Sequence, residues 1–384
     1  MNENKAHQLL LKIIGVELNA WDDESVVEDL LTENTLTKLY SLAKKHDLAH
    51  IVSKYINRHK IEVPSEIKEK FQREELLSIY RYEQIKYTFG EICAILDGEC
   101  IPYIPLKGSV IRPYYPYESM RTSCDIDILI KEEDLKKAIT VLSDKGYNCG
   151  EKNYHDVSIY SKNNVHLELH FSVKENDEKL DEILGKVWDY AVPAEKYCYR
   201  LNDEFFVFYI YAHMSYHFLS GGCGLRALMD IWIMENKMNV SHFDSESLLE
   251  KAGIYKFASE MSTIANNCFL CENDGLQNDI ALSYILSGGS YGDIENKVAV
   301  KKTMANGFLA YAIGRIFMPY KSMKTLYPFL GKFPFLLPFC WIARWVRTIL
   351  NGRSKKIANE FQKASAVSSE KMNEIKALSM RMGL

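Results

Sequence analysis

The hexapeptide DIDILI at residues 125–130 constrains the fold more than any other stretch of the chain. Strand alternation puts Asp125 and Asp127 on one face and Ile126 and Ile128 on the other. The run ILI that follows drives the strand into a core, so its acidic face is not that of a solvated sheet edge. Carboxylates this close repel each other unless a cation lies between them. The hexapeptide therefore predicts a core strand whose paired carboxylates call for a cation between them.

Around this strand, residues 99–175 read as strand, helix, strand, helix, hairpin. CIPYIPL is a buried strand and GSVIRPYYPY a short helix broken by Pro113 and Pro116. KEEDLKKAITVLSDKG is an amphipathic helix that opens on acids and closes at Gly146. YHDVSIYS and VHLELHFS form a hairpin that turns across Lys162, Asn163 and Asn164. Residues 1–98 read as helical. The clearest segment starts at Ser65, just after Pro64, with Ile67, Phe71, Ile85, Phe89, Ile92 and Leu96 on one stripe. Residues 176–384 read as mostly helical again. The strongest segments there are FFVFYIYAHMSYHFL and LRALMDIWIMENK, separated by Gly221, Gly222 and Gly224. The expected architecture is α+β: a small mixed-sheet core at 99–175 between helical regions at 1–98 and 176–384.

Composition narrows the partners. A net charge of −4 over 384 residues argues against a general polyanion binder, so nucleic acid is not an expected partner. Nine cysteines, an odd number without a regular framework, fit reduced thiols. Cys268 and Cys271 form a lone CxxC with no second pair and no flanking histidines, which favours a structural role over metal or redox chemistry. The first residues hold too short an apolar stretch for a signal peptide. No run approaches the roughly 20 apolar residues of a membrane span. A cytoplasmic location is expected.

Three pieces of the middle region belong together. Lys107, Gly108 and Ser109 sit where a strand ends and a short helix begins, a place where backbone N–H groups and a hydroxyl bind phosphate. Asp125 and Asp127 supply two carboxylates. On VHLELHFS, His166, Glu168 and His170 face away from Leu167 and Leu169. Glu168 thus offers a third carboxylate for a hard cation. Each piece alone is common; the three together are not.

In this order, IPLKGSVI, MRTSCDIDILI and VHLELHF resemble the DNA polymerase β-like nucleotidyltransferase superfamily. Within it they are similar to the bacterial family labelled "uncharacterised nucleotidyltransferase", over about residues 75–235. One departure is the fifteen residues between Ser109 and Asp125, more than in the commonest superfamily pattern. The resemblance implies that Asp125, Asp127 and Glu168 hold two Mg²⁺ ions. It implies that Gly108 and Ser109 cradle the β- and γ-phosphates of an NTP, and that Lys107 and Arg121 neutralise the departing pyrophosphate. Glu168 would also accept the acceptor's proton. The implied reaction transfers AMP from ATP to a hydroxyl or phosphate of a small molecule, peptide, glycan or protein. An inactive nucleotide-binding or adaptor module on the same fold is the alternative.

Arg121 has a second reading, as a salt-bridge partner of Asp125 or Asp127. His213 and His217 lie one helical turn apart in HMSYH, a spacing that suits metal but equally suits core histidines. Together with His170, Arg226 and Asp230 they are candidate acceptor contacts. Arg226 and Asp230 are also spaced for a simple i, i+4 salt bridge. In the C-terminal part, residues 326–356 place Trp341 and Trp345 among Arg344, Arg347, Arg353, Lys355 and Lys356. This segment reads as a core helix with a basic end or as a peripheral membrane contact.

Overall fold

The computed structural model describes residues 3–19, 33–270, 279–290, 292–352 and 354–384. The chain divides into two compact units. The first holds residues up to 216 together with 223–290, and the second is built mainly from 291–382.

The first unit is organised by a seven-stranded mixed sheet in the order β3-β4-β5-β2-β1-β7-β6. Its strands are β1 (Tyr103–Pro105), β2 (Asp125–Ile130), β3 (Asn148–Lys152), β4 (Asp156–Tyr160), β5 (His166–His170), β6 (Ala191–Glu195) and β7 (Cys198–Leu201). The pairs β2–β5 and β1–β7 are parallel and the others antiparallel. Alternation sorts the central strands into two faces. Ile126, Ile128, Ile130, Val157, Ile159, Leu167 and Leu169 are buried in one cluster with Ile85, Ile92 and Leu96 of the helix Ser65–Gly98. Leu135, Ala138 and Leu142 of the helix Leu135–Asp144 complete it. The opposite face carries the polar residues of the same strands.

The Ser65–Gly98 helix is 34 residues long, about 50 Å at 1.5 Å per residue. Ile67 and Phe71 are buried in its N-terminal half, where Ser53 and Asn57 of the helix Ala49–Arg58 donate to Glu75. One apolar stripe therefore serves two neighbours.

The structure adds strands that the sequence pattern did not announce. β3 pairs with β4 directly after the Leu135–Asp144 helix, although its residues NCGEK carry almost no apolar signal. β6 and β7 form a hairpin within the stretch read as helical after 176. Pro193 obscures β6, and it is tolerated because β6 is the last strand and a proline without an N–H costs least at an edge. β1 is only three residues long, bounded by the prolines of CIPYIPL. The eight described cysteines are all free thiols. Cys268 is buried, and Cys271, the other half of the CxxC, lies outside the described residues.

Candidate active site

The acidic face of β2 meets the acidic face of β5 in register. Asp125 lies opposite His166 and Asp127 opposite Glu168 across the parallel ladder. Ligand atoms of Asp127, Glu168 and His170 all come within 4.8 Å of one another. The His170 Nε2 lies 2.9 Å from Asp127 Oδ1 and 3.4 Å from Glu168 Oε2. Lys107 Nζ donates to the same Asp127 oxygen at 3.0 Å. Asp125 stands one strand repeat before this cluster on the same face.

The titration behaviour follows from these contacts. Asp127 is buried, which opposes its charge, yet Lys107 and the His170 hydrogen bond hold its carboxyl far below the usual range. The His170 hydrogen bond also lowers Glu168 against the opposing effect of burial. Burial and then the charge of Asp127 push Asp125 up, with Lys107 and Arg226 pulling the other way. Burial disfavours the Lys107 ammonium, but Asp127 outweighs it and raises the lysine. His170 is likewise raised, because its bonds to Asp127 and Glu168 overcome burial. Lys107 and His170 both bond Asp127, which leaves Asp125 the acid short of positive charge.

Lys107 reaches this position at a backbone cost. Its φ of 41° and ψ of −108° put a non-glycine residue outside the common regions, a strain of order 1–3 kcal/mol that clusters at functional sites. The turn after it, Gly108–Ile111, is a single helical turn. The Ser109 N–H already donates to Leu106 O and the Val110 N–H to Lys107 O. The backbone cradle expected of Gly108 and Ser109 is therefore narrower than the sequence suggested, with the Gly108 N–H and the Ser109 hydroxyl as its donors.

Gly108 is fixed by an arginine. A Cβ at this position would fall 2.3 Å from Arg121 Nη1 and 3.5 Å from Arg112 Nη2. Arg121 binds neither Asp125 nor Asp127, which corrects the salt bridge considered from the sequence. Its Nε and Nη2 donate to the two carboxylate oxygens of Asp230, each at 2.7 Å, and Tyr115 Oη donates to Asp230 Oδ1 at 2.7 Å. The remaining nitrogen, Nη1, faces the Gly108 turn. Arg226 does not pair with Asp230 either; its Nη1 donates to Thr122 O at 2.7 Å. These two residues of the helix Leu225–Asn236 thus both bond residues 121–122 and not each other.

Arg112, which the motif reading passed over, completes a cationic corner. Its Nε donates to Arg121 O and its Nη2 to Ser123 Oγ. Burial and then the charge of Arg121 bring it down to about 10. Three arginines thus stand near one paired carboxylate, Asp230, beside a turn with room for no side chain.

The helix Asp203–Leu219 supplies the rest. His213 Nδ1 donates to Glu175 Oε1 at 2.7 Å. Burial, then the nearby Lys107, keep His213 neutral, well below its usual value. Tyr209, one turn earlier, is buried and interacts with Lys107. Its spacing of four from His213 in FYIYAHMSYH was the available signal. His217, one turn later, is exposed where the chain enters the second unit. His166 stacks on Tyr160 at 4.8 Å. On its far side His170 stacks on His155 at 5.6 Å and shares a second cluster with His155 and Asp156, neither of which the sequence reading singled out.

Paired acids on neighbouring strands, a glycine turn and a cationic corner thus come together around β2. The family described as "uncharacterised nucleotidyltransferase" matches residues 32–269. The chain belongs to that family. The match takes in the sheet, the helix before it and the helices Asp203–Leu219 and Leu225–Asn236, a wider span than the three motifs. It supports nucleotidyl transfer as the general role of the chain. No curated protein and no solved structure matches the chain.

Proposed function

We propose that the protein is a Mg²⁺-dependent nucleotidyltransferase that moves AMP from ATP to a hydroxyl or phosphate of an acceptor. The observation that carries this reading is the juxtaposition of Asp127 and Glu168 across β2–β5, with Asp125 on the same face. The donor set suits a hard cation: it is made of carboxylate oxygens, and Asp127 commits Oδ1 to Lys107 and His170 while keeping Oδ2. Asp125, Asp127 and Glu168 would hold the Mg²⁺, which supplies charge neutralisation to the triphosphate and to the attacking and leaving oxygens. The repulsion that raises Asp125 is what such a cation would relieve.

The chain's own residues do the remaining work. Lys107 balances Asp127 from below, so its ammonium serves the carboxylates more than the leaving group. Arg121 Nη1, Arg112 and Arg226 provide the positive field in which the β- and γ-phosphates would lie, close to the Gly108 N–H and the Ser109 hydroxyl. The acceptor oxygen attacks the α-phosphorus, a hydroxyl acceptor giving up its proton to water, while the bond to the bridging oxygen breaks and pyrophosphate leaves with the electron pair. Glu168 is held low by His170, which suits it to bind metal better than to accept a proton. His213, neutral and anchored on Glu175, stands toward the same polar face and is the better candidate for orienting the acceptor.

One observation favours an inactive nucleotide-binding module instead. Lys107 Nζ already sits 3.0 Å from Asp127, an internal cation beside the acid that would bind metal. The deciding experiment is pyrophosphate release and thermal shift with each of four NTPs, with and without Mg²⁺, on the wild type, Asp125→Asn and Asp127→Asn. The enzyme reading expects Mg²⁺-dependent binding of ATP and release that both variants abolish. Release unchanged in both variants removes the aspartates from the mechanism. Binding that needs no Mg²⁺ and yields no release supports the inactive module.

A further inference from the structure

The second unit has an unpartnered apolar face. Its two small cores centre on Val298, Tyr311 and Ala364 and on Met323, Leu330 and Cys340. Of the helix Leu337–Leu350, only Cys340 is fully buried, which corrects the reading of 326–356 as a core helix. Its tryptophans point inward. Trp341 Nε1 donates to Met318 O at 2.9 Å and Trp345 Nε1 to Ile316 O at 3.2 Å. They fasten the helix to residues 316–318 and are not surface anchors.

The outward stripe is aliphatic and aromatic. Phe339 and Ile342 are 67% and 63% exposed, and Val346, Ile349 and Leu350 continue the same line. Their spacing of three and four residues marks one face of the helix. Phe335, just before the helix, is also exposed, as are Leu309 and Ile313 of the helix Phe308–Ile316.

Charge selects what covers this face. Residues 296–359 contain twelve lysines and arginines and no aspartate or glutamate, in a chain whose net charge is −4. Lys321, Lys324, Lys332, Arg347 and Lys355 are exposed. A second copy of this chain would bring like charges together. A nucleic acid would meet the cations but gain nothing from the aliphatic stripe. An anionic bilayer offers both a negative surface and an apolar interior a few ångströms beneath it.

We infer that the second unit docks on anionic lipid membranes, with the Phe339–Leu350 stripe in the interface and the basic residues at headgroup level. No helix among the described residues is long and apolar enough to cross a membrane, so the contact is peripheral. The lysine and arginine stems lie along the apolar surface while their heads stay with the phosphates. Each cation at such a surface is worth about fivefold in partitioning, and a single shallow helix gains from both terms together.

The test is co-sedimentation of the full chain with vesicles of phosphatidylcholine alone or of phosphatidylcholine mixed with phosphatidylserine. The chain is expected to pellet with the anionic vesicles, and less in high salt. The triple variant Phe339→Ser/Ile342→Ser/Val346→Ser is expected to bind at least ~10-fold more weakly, with an unchanged melting temperature because these side chains are exposed. The variant Lys332→Gln/Arg347→Gln/Lys355→Gln is expected to lose the preference for phosphatidylserine. Anionic-vesicle binding that the serine variant leaves intact overturns the proposal. So does equal binding of vesicles and a single-stranded polynucleotide, or a dimer that the serine variant dissolves and that pellets with neither vesicle.

Discussion

Replacing the two β2 aspartates one at a time should shift stability in opposite directions while abolishing the same activity. Asp127 accepts from Lys107 at 3.0 Å and from His170 at 2.9 Å and is buried. Removing one member of a buried charge pair costs about 3–5 kcal/mol. Asparagine keeps an oxygen for both donors, and Asp125 and Glu168 still face the lysine, so the lower end applies, about 3 kcal/mol. Asp125 has no hydrogen-bonded cation and is raised by burial and by Asp127. Asp125→Asn removes that repulsion, less the attraction of Lys107 and Arg226, for a gain on the order of 1 kcal/mol. At about 2–4 °C per kcal/mol, Asp127→Asn lowers the melting temperature by at least ~5 °C and Asp125→Asn raises it by about 2 °C. Differential scanning fluorimetry in EDTA reads both shifts. Added Mg²⁺ should then stabilise the wild type and neither variant. Two shifts of the same sign and similar size in EDTA would refute this division of roles between the acids.

Other perturbations follow from the same contacts. Arg121→Lys keeps the charge but breaks the two-point grip on Asp230 in a buried site and is expected to cost about 1.5–3 kcal/mol in chemical denaturation, with lysine unable to replace the guanidinium fork. Gly108→Ala places a methyl 2.3 Å from the pinned Arg121 Nη1; it should weaken NTP binding more than tenfold as well as lower the melting temperature, whereas alanine at the open Gly90 should do neither. His46 is buried against Leu286 O and its pKa is pushed down to about 4, chiefly by burial. The unfolded chain therefore binds the proton first, and stability falls as pH drops from about 6.5 to 4, by roughly 3 kcal/mol in all. Urea titrations of the wild type should show this slope, and His46→Gln should flatten it.

The legible part of this protein is what alternation and order along the chain control. DIDILI and VHLELHF each declare their two faces locally, because a strand has only two. That was enough to put Asp125, Asp127 and Glu168 on polar faces, and to read a mixed α+β core between helical regions. The strands that escaped are those whose residues carry little periodic signal: NCGEK in β3, and the proline-bearing AVPAE of β6. Partners escaped more completely. Nothing in the sequence ties Arg121 to Asp230, 109 residues away, or sets Lys107 against Asp127 in place of a leaving group. Arg226 and Asp230 looked like partners of each other, yet each pairs with the 121–122 loop.

By itself, then, the sequence determined the chemistry available: three acids on two strands, a glycine turn, and a long cationic stretch free of acids near the C-terminus. Tertiary structure decided which charges neutralise which, and which apolar stripe stays in water. The reason is physical. The face on which a side chain points is fixed by local backbone geometry, whereas its charge partner and its burial depend on what the rest of the chain brings within a few ångströms.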